Sequence, residues 1–324
     1  MGVCEQAAKE CIDFDFDFYD DVITGLATTG QKNLNPKYFY DQVGASLFDE
    51  ITRLDEYYVT RSELELMRVF VPALRDIVGP LNSLIELGSG SGLRTELFFQ
   101  ELKSIENFLP VDVSVDFIEM SRNQVEKKYP SLSVIPVIGD FTQGVKLPEI
   151  SYADKALVFF PGSTISNLNR GASVKLFRNV FNMVSDESWF LVTADLKKDK
   201  AVIESAYNDD EGVTAEFNLN VLARINRELN ADFDLGEFEH NAFYNEDESR
   251  VEMHLVSMQN QQVSINGLEV NFALNESIHT ENSYKFSKED IESIAIESGW
   301  LLERFVTDSK GYVGQFLFQK ARGK

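Results

Sequence analysis

Between residues 83 and 195, short, largely apolar runs alternate with stretches of helical spacing. The runs at 84–87, 108–114, 133–138, Ala156–Phe160 and Trp189–Asp195 read as buried strands. The stretches at 93–99, after 114 through Tyr129, and at 170–184 read as helices. This alternation predicts a series of βαβ units, and so a doubly wound, mostly parallel sheet. Ahead of it, residues 15–30 predict an acidic helix ending at Gly25 or Gly30. Thr60 and Glu63 have the spacing of a capping box that opens a helix through about Ile77, and Gly79-Pro80 stops it. From Asp199 to Tyr284 the rhythm changes. Val213–Leu229 is helical, whereas 250–256 and 263–265 alternate like antiparallel strands. A helix at 287–298 then precedes two closing strands, 301–306 and 312–318, joined as a hairpin around Asp308-Ser309-Lys310-Gly311.

The first strand runs into Glu86-Leu87-Gly88-Ser89-Gly90-Ser91-Gly92, three glycines at alternate positions before a helix. Glycines allow the tight turn and a close approach of ligand to backbone. Nicotinamide, flavin and S-adenosylmethionine (SAM) sites all use such turns, so the motif alone leaves the cofactor open. Two further positions narrow it. Asp112 ends the second strand, where an acid can bond ribose hydroxyls. Asp140-Phe141 follows the third strand and offers a carboxylate for an adenine amino group and a ring for its face. Acids at successive strand ends followed by an aromatic ring favour SAM over a dinucleotide.

Composition trims the remaining classes. The chain has 324 residues, 44% hydrophobic, with 53 acidic against 30 basic residues and a formal charge of −23. Such a surface repels phosphate backbones and anionic membranes, so no nucleic-acid or membrane partner is expected. No apolar run approaches the roughly 18 residues of a membrane span. Cys4 and Cys11 lack metal spacing and His240, His254 and His279 are scattered, so no metal is expected. Glu5, Glu10, Asp13, Asp15 and Asp17 leave no apolar core for a signal peptide, which predicts a cytoplasmic protein. No obligatory protein partner is evident. Tyr38, Tyr40, Tyr57 and Tyr58 lie close together among acids, a composition that suits a half-buried cap or a site for a small polar amine.

A set of ordered segments makes the chain similar to a known family. These are Pro36-Lys37-Tyr38-Phe39-Tyr40-Asp41, Glu56-Tyr57-Tyr58-Val59-Thr60-Arg61, the glycine turn, Gly139-Asp140-Phe141 and Gly162-Ser163-Thr164-Ile165-Ser166-Asn167-Leu168. Asp195-Leu196-Lys197-Lys198-Asp199, Ala206-Tyr207-Asn208-Asp209 and Gly212-Val213-Thr214-Ala215-Glu216-Phe217-Asn218-Leu219-Asn220-Val221-Leu222 continue it. Ala231-Asp232-Phe233-Asp234-Leu235, Phe238-Glu239-His240 and Thr280-Glu281-Asn282-Ser283-Tyr284-Lys285-Phe286 complete it. Along nearly its whole length the chain resembles the histidine-specific α-N-methyltransferases of ergothioneine biosynthesis.

The strand pattern, with its closing antiparallel strand, fits a class I methyltransferase fold with a Rossmann-like sheet, as does the resemblance. Residues 1–198 and 285–324 would form the SAM-binding domain and 199–284 an inserted α+β substrate-binding domain. The resemblance implies SAM held by Gly88, Arg94, Asp112, Asp140 and Phe141, and L-histidine as the small-molecule substrate. The α-carboxylate would meet Asn167 and Tyr207, with Tyr57 lining the pocket. Glu281 and Ser283 would take the imidazole nitrogens, Met253 would pack on the ring, and Tyr40 would lie near the α-amine, with Tyr40 and Asn167 orienting it for methylation. The product would be the trimethyl betaine hercynine. Ser166 stands where the family usually has glycine, Val59 where it has proline, and Arg94 where it has a lysine. Two other readings are methylation of another amino acid, such as tryptophan or tyrosine, and SAM binding without turnover.

Overall fold

The structure is a computed structural model and describes residues 18–88, 94–148 and 155–321. Cys4, Cys11 and the acids expected to exclude a signal peptide lie outside the described residues, as does the glycine turn from Ser89 to Leu93. The chain divides into two compact units, one holding Arg61–Leu196 with the segment from Phe286 onward, the other Asp15–Thr60 with Lys197–Lys285.

The first unit is built on an eight-stranded sheet. Its order is Trp300–Thr307, Val313–Lys320, Trp189–Asp195, Ala156–Phe160, Ser83–Leu87, Asn107–Asp112, then Ser133–Val134, with Val137–Ile138 also on Asn107–Asp112. The strands from Trp189–Asp195 onward in this order pair in parallel, and the closing hairpin adds to Trp189–Asp195 antiparallel. Ser83–Leu87, Ala156–Phe160 and Trp189–Asp195 are buried at every residue, which is why each reads as a largely apolar run without alternation. Met67, Phe70 and Leu74 of the helix Tyr58–Val78 pack with Phe98, Phe108 and Leu157 in the core.

Two expectations for this unit need correction. The run 133–138 is two short strands, pairing Asn107–Phe108 and Val111–Asp112 in turn. Pro136 has no N–H to give the ladder between them, so the strand breaks there. The helix expected to open at a Thr60 cap begins at Tyr58. Glu63 does not serve a capping box: it is fully buried, pairs with Arg94 and accepts the Gly162 N–H at 2.8 Å.

The second unit holds a four-stranded sheet in the order Lys32–Asn33, Ser277–Tyr284, Arg250–Ser257, Phe238–Asn245, together with the hairpin Gln261–Ile265 and Leu268–Phe272. The helix Val213–Leu229 packs on the sheet through Phe217, Asn218, Val221 and other buried residues. Residues up to 198 were expected to travel with the first unit, yet the N-terminal segment from 18 to 60 packs here. Lys32–Asn33 pairs in parallel with Ile278–His279, and the Phe39 and Phe217 rings lie 4.7 Å apart. These partners stand far away in sequence, where no local pattern can reveal them. The strands Phe238–Asn245 and Leu268–Phe272 also went unanticipated: polar residues interrupt the alternation of the first, whereas the second is only five residues long although Leu268, Val270 and Phe272 do alternate.

Candidate functional site

The first unit collects one group of candidate residues along the carboxyl ends of adjacent parallel strands. Gly88 follows Ser83–Leu87 and donates its N–H to Val111 O at 2.8 Å, beside Asp112. Asp112 O in turn accepts the Gly139 N–H at 2.9 Å, which places Asp140 and Phe141 at the next strand end. Gly88 adopts a φ of +79°, a left-handed conformation that favours glycine. The Phe141 ring lies 3.9 Å from where a Cβ at Gly88 would stand. Asp112 Oδ1 accepts the Ser114 N–H at 2.9 Å; Asp140 Oδ1 accepts both the N–H and the hydroxyl of Thr142. Both carboxylates are thereby fixed in direction while remaining half-buried.

Arg94 is anchored behind this edge by Glu63. The Glu63 carboxylate also takes the Gly162 N–H, so one buried acid joins the helix-start arginine to the loop that leads to Asn167. In that loop Ser163 adopts φ +57°, accepts the Asp195 N–H at 2.6 Å and lies 2.7 Å from Ser166 Oγ. Ser166, in place of the usual glycine, is therefore buried with a hydrogen-bond partner.

Glu86, the acid preceding Gly88, is 2% exposed and accepts the Thr95 hydroxyl at 2.7 Å. Burial pushes its carboxyl from 4.5 up to about 8, against the favourable bond from Thr95 and charge of Arg94, with Glu63 and Asp112 adding repulsion. A raised folded-state pKa means the folded chain binds the proton more tightly. Its stabilising contribution is full below about 4.5 and is lost as pH rises through about 8. Glu86→Gln is therefore expected to flatten this part of the decline in stability, so that parent and variant converge at low pH and the variant is the more stable at pH 9. Urea unfolding of both across that range checks it.

The second unit collects the other candidates. Glu281 and Ser283 lie on Ser277–Tyr284 and alternate onto one face, which the cross-strand pairing Glu281↔Met253 extends to Met253. A register shift between His279 and Glu281 sets this phase. Glu281 is 9% exposed, and Met253 and Ser283 are buried. Ser283 Oγ accepts the Tyr207 hydroxyl at 2.6 Å, and Lys285 donates to Ser283 at 2.8 Å and to Tyr207 at 3.0 Å. Tyr40 is 36% exposed as a whole, but the enclosure of its hydroxyl raises that group's pKa above its ordinary value, and the charges of Glu281 and Tyr207 raise it further. Tyr40, Tyr207 and Glu281 thus share one electrostatic environment. Around Tyr40 stand Phe48 at 5.6 Å and Phe217 at 5.7 Å, and Tyr57 follows Phe48 at 6.2 Å, an aromatic wall beside a polar face.

Local chemistry explains how these groups are aimed. Asp41 caps the helix Gln42–Ile51 through Gly44 N–H and accepts Asn220 Nδ2 at 2.8 Å, fixing the segment after Tyr40 to the long helix. Phe39 O stands 1.7 Å from where a Gly44 Cβ would be, so only glycine fits there. Asn218 donates to His240 Nδ1 at 2.9 Å, which makes Nδ1 the acceptor and leaves Nε2–H to donate to Tyr207 O at 2.9 Å. Burial lowers the His240 pKa, consistent with that neutral tautomer. Asn218 Oδ1 also accepts the Thr280 hydroxyl at 2.7 Å, beside Glu281.

Sequence reasoning missed Glu63, Asn218, His240 and Lys285 as organising residues. Lys285 had a usable signal: it follows Glu281 and Ser283 at alternate positions of an extended segment. Nor are the histidines all scattered, because the fold stacks His254 and His279 with ring centroids 4.6 Å apart, beside Glu252.

The family described as SAM-dependent histidine-specific methyltransferases matches residues 18–320. The histidine N-alpha-methyltransferase of Mycolicibacterium smegmatis is 39% identical over 299 residues, 91% of this chain and 92% of that protein. Ergothioneine biosynthesis protein 1 of Neurospora crassa is 28% identical over 204 residues, 61% of this chain and 23% of that longer protein. Among solved structures, mitomycin 7-O-methyltransferase matches with a TM-score of 0.50 at 12% identity, covering 88% of this chain and 59% of that one, a likeness of fold. The sheet is that of the class I SAM-dependent methyltransferases.

Proposed function

This chain belongs to the SAM-dependent, histidine-specific methyltransferase family, and we propose that it methylates the α-amino nitrogen of L-histidine three times, giving hercynine, a reaction of ergothioneine biosynthesis. Most of the support comes from one arrangement, the polar face of Glu281, Ser283 and Tyr207 beside the aromatic wall of Tyr40, Phe48 and Tyr57.

Imidazole carries one donor and one acceptor, and a carboxylate with a hydroxyl can satisfy both. Glu281 accepts the ring N–H, Ser283 serves the other nitrogen, and Met253 offers an apolar surface on the same face. An indole N–H could donate to Glu281, but indole has no acceptor nitrogen for the Ser283 hydroxyl, which disfavours tryptophan. Tyr207, which accepts from Lys285, is assigned to the α-carboxylate and turns its hydroxyl there from Ser283 when the substrate binds.

In the first unit Gly88, Asp112, Asp140 and Phe141 fit a nucleoside: two fixed carboxylates for ribose and adenine donors, and a ring for the base. Arg94 supplies a cation for the amino-acid end of the cofactor. SAM, when bound, supplies a methyl group activated on a sulfonium. An α-amine with an ordinary pKa of about 7.7–8.0 has a usable lone pair near neutral pH. Positioning can therefore supply most of the acceleration, and no side chain is assigned as a dedicated base. Tyr40 orients the amine with a neutral hydroxyl, both donor and acceptor. The ring faces of Tyr40 and Tyr57 favour each successive, more apolar ammonium product. Among the described residues no helix is long and apolar enough to cross a membrane; we take the reaction to be cytoplasmic.

The purified chain mixed with SAM and L-histidine tests the reading. Mass spectra at successive times are expected to end at three added methyl groups, all on the α-nitrogen. A product that stops at one methyl, or carries it on the ring, would overturn it. Calorimetry is expected to detect SAM binding and none of NAD.

A further inference from the structure

We propose that Glu252, His254 and His279 form a binding site for a divalent transition-metal cation of the zinc class, on the face of the sheet opposite to Met253 and Glu281. The strand pairing builds it. His254 stands directly across from His279, and Glu252 lies two residues from His254 on the same strand face. The register shift after His279 then sends Glu281 to the other face, so these three side chains gather away from the substrate-facing group. Their donor atoms lie within 4.8 Å of one another, and Glu252 and His254 are buried.

Each donor is already oriented through its other atom. Glu252 Oε1 accepts from Arg250 at 2.8 and 2.9 Å and from Asn245 at 2.9 Å, which aims Oε2 at His254. In the metal-free chain His254 Nε2–H donates to Glu252 Oε2 at 3.2 Å; an ion displaces that bond as the imidazole changes tautomer, so that Nδ1–H donates to Ser277 Oγ, 3.2 Å away, and Nε2 presents its lone pair. The spacing of Nε2 and Oε2 is close to the distance of about 3.3 Å between two donors bound at about 2.0–2.1 Å around a tetrahedral ion. His279 Nε2 bonds Glu281 O at 3.1 Å, which leaves Nδ1 as its acceptor nitrogen. Phe243 stacks on His254 at 5.5 Å and covers one side. His279 is half-buried, and its ring already places a donor nitrogen within 4.8 Å of those of Glu252 and His254.

Two imidazoles and a carboxylate select a transition cation over magnesium or calcium. The Arg250 guanidinium beside Glu252 opposes a further positive charge, so this is a site of modest affinity that clamps the two strands carrying Met253 and Glu281.

The untagged chain is stripped with a chelator and dialysed against zinc chloride in buffer free of histidine, since free histidine itself chelates zinc. Metal analysis is expected to give about one ion per chain, with magnesium chloride giving none. His279→Asn, at a half-buried position, is expected to weaken uptake about tenfold or more while leaving metal-free urea unfolding unchanged. Cobalt substituted in the parent chain is expected to show visible bands of imidazole-ligated, low-coordinate metal. Absence of uptake, uptake unaltered by His279→Asn, or a cobalt spectrum of the hexa-aquo ion overturns the site.

Discussion

Glu281→Ala is expected to weaken L-histidine binding by about 10- to 150-fold and to leave SAM affinity unchanged. The carboxylate is 9% exposed and shares its face with Met253 and Ser283. A hydrogen bond to a charged group contributes roughly 1.5–3 kcal/mol, which sets that range. Glu281→Gln keeps an acceptor oxygen and loses only the charge, so its loss is expected to be smaller. The substitution also removes a charge that raises the Tyr40 hydroxyl pKa, so part of the effect reaches the aromatic wall. Calorimetric titration with histidine and, separately, with SAM checks both halves. Equal histidine affinity in parent and Glu281→Ala would remove Glu281 from recognition, and equal loss for SAM would point to general unfolding.

Much of the sheet was legible because a strand buried on both faces writes a largely apolar run. Ala156–Phe160 and Trp189–Asp195 are such strands, and their ends follow from composition alone. The same periodicity located the helix Val213–Leu229, whose buried Phe217, Val221 and Ile225 recur along one side. What escaped was everything decided by a distant partner. Lys32–Asn33 is a strand only because Ile278–His279 pairs with it, and two residues carry no pattern of their own. Phe238–Asn245 buries Phe238 and Ala242, too few for alternation to stand out among polar neighbours.

The candidate residues divide in the same way. Asp112 and Asp140 are legible because strand ends in parallel sheets have a fixed chemical meaning. Glu281 and Ser283 came from the resemblance, and their common face from the period of a strand. His254 and His279 look unrelated until the antiparallel pairing puts them opposite one another. Glu63 was read as a capping acid because local spacing allows it. The structure spends that carboxylate on Arg94 and Gly162, since a wholly buried charge finds more compensation in a guanidinium and an amide than at a helix start.

That buried pair carries the other large expected effect. Arg94→Met is expected to destabilise the fold by about 3–5 kcal/mol, the loss on stranding one member of a buried ion pair. Glu63 would be left wholly enclosed, with the Gly162 N–H as its remaining bond in this pair of contacts. Glu63→Gln is expected to cost less, because the Arg94 side chain is 19% exposed and can draw on water for part of its hydration. The asymmetry itself is the measurable signature, and a surface ion pair would not produce it. Combining the two substitutions separates charge from geometry. In the Arg94→Met background, Glu63→Gln removes the stranded charge while its amide oxygen can still accept from Gly162, so it is expected to recover at least about half of the lost stability. SAM affinity should not recover with it, because the cation assigned to the cofactor's carboxylate is absent from both variants. Urea unfolding of the parent, the two single variants and the double variant reads the first quantity, and calorimetric titration with SAM reads the second. Additive losses in the double variant would mean that Glu63 and Arg94 act separately despite their contact.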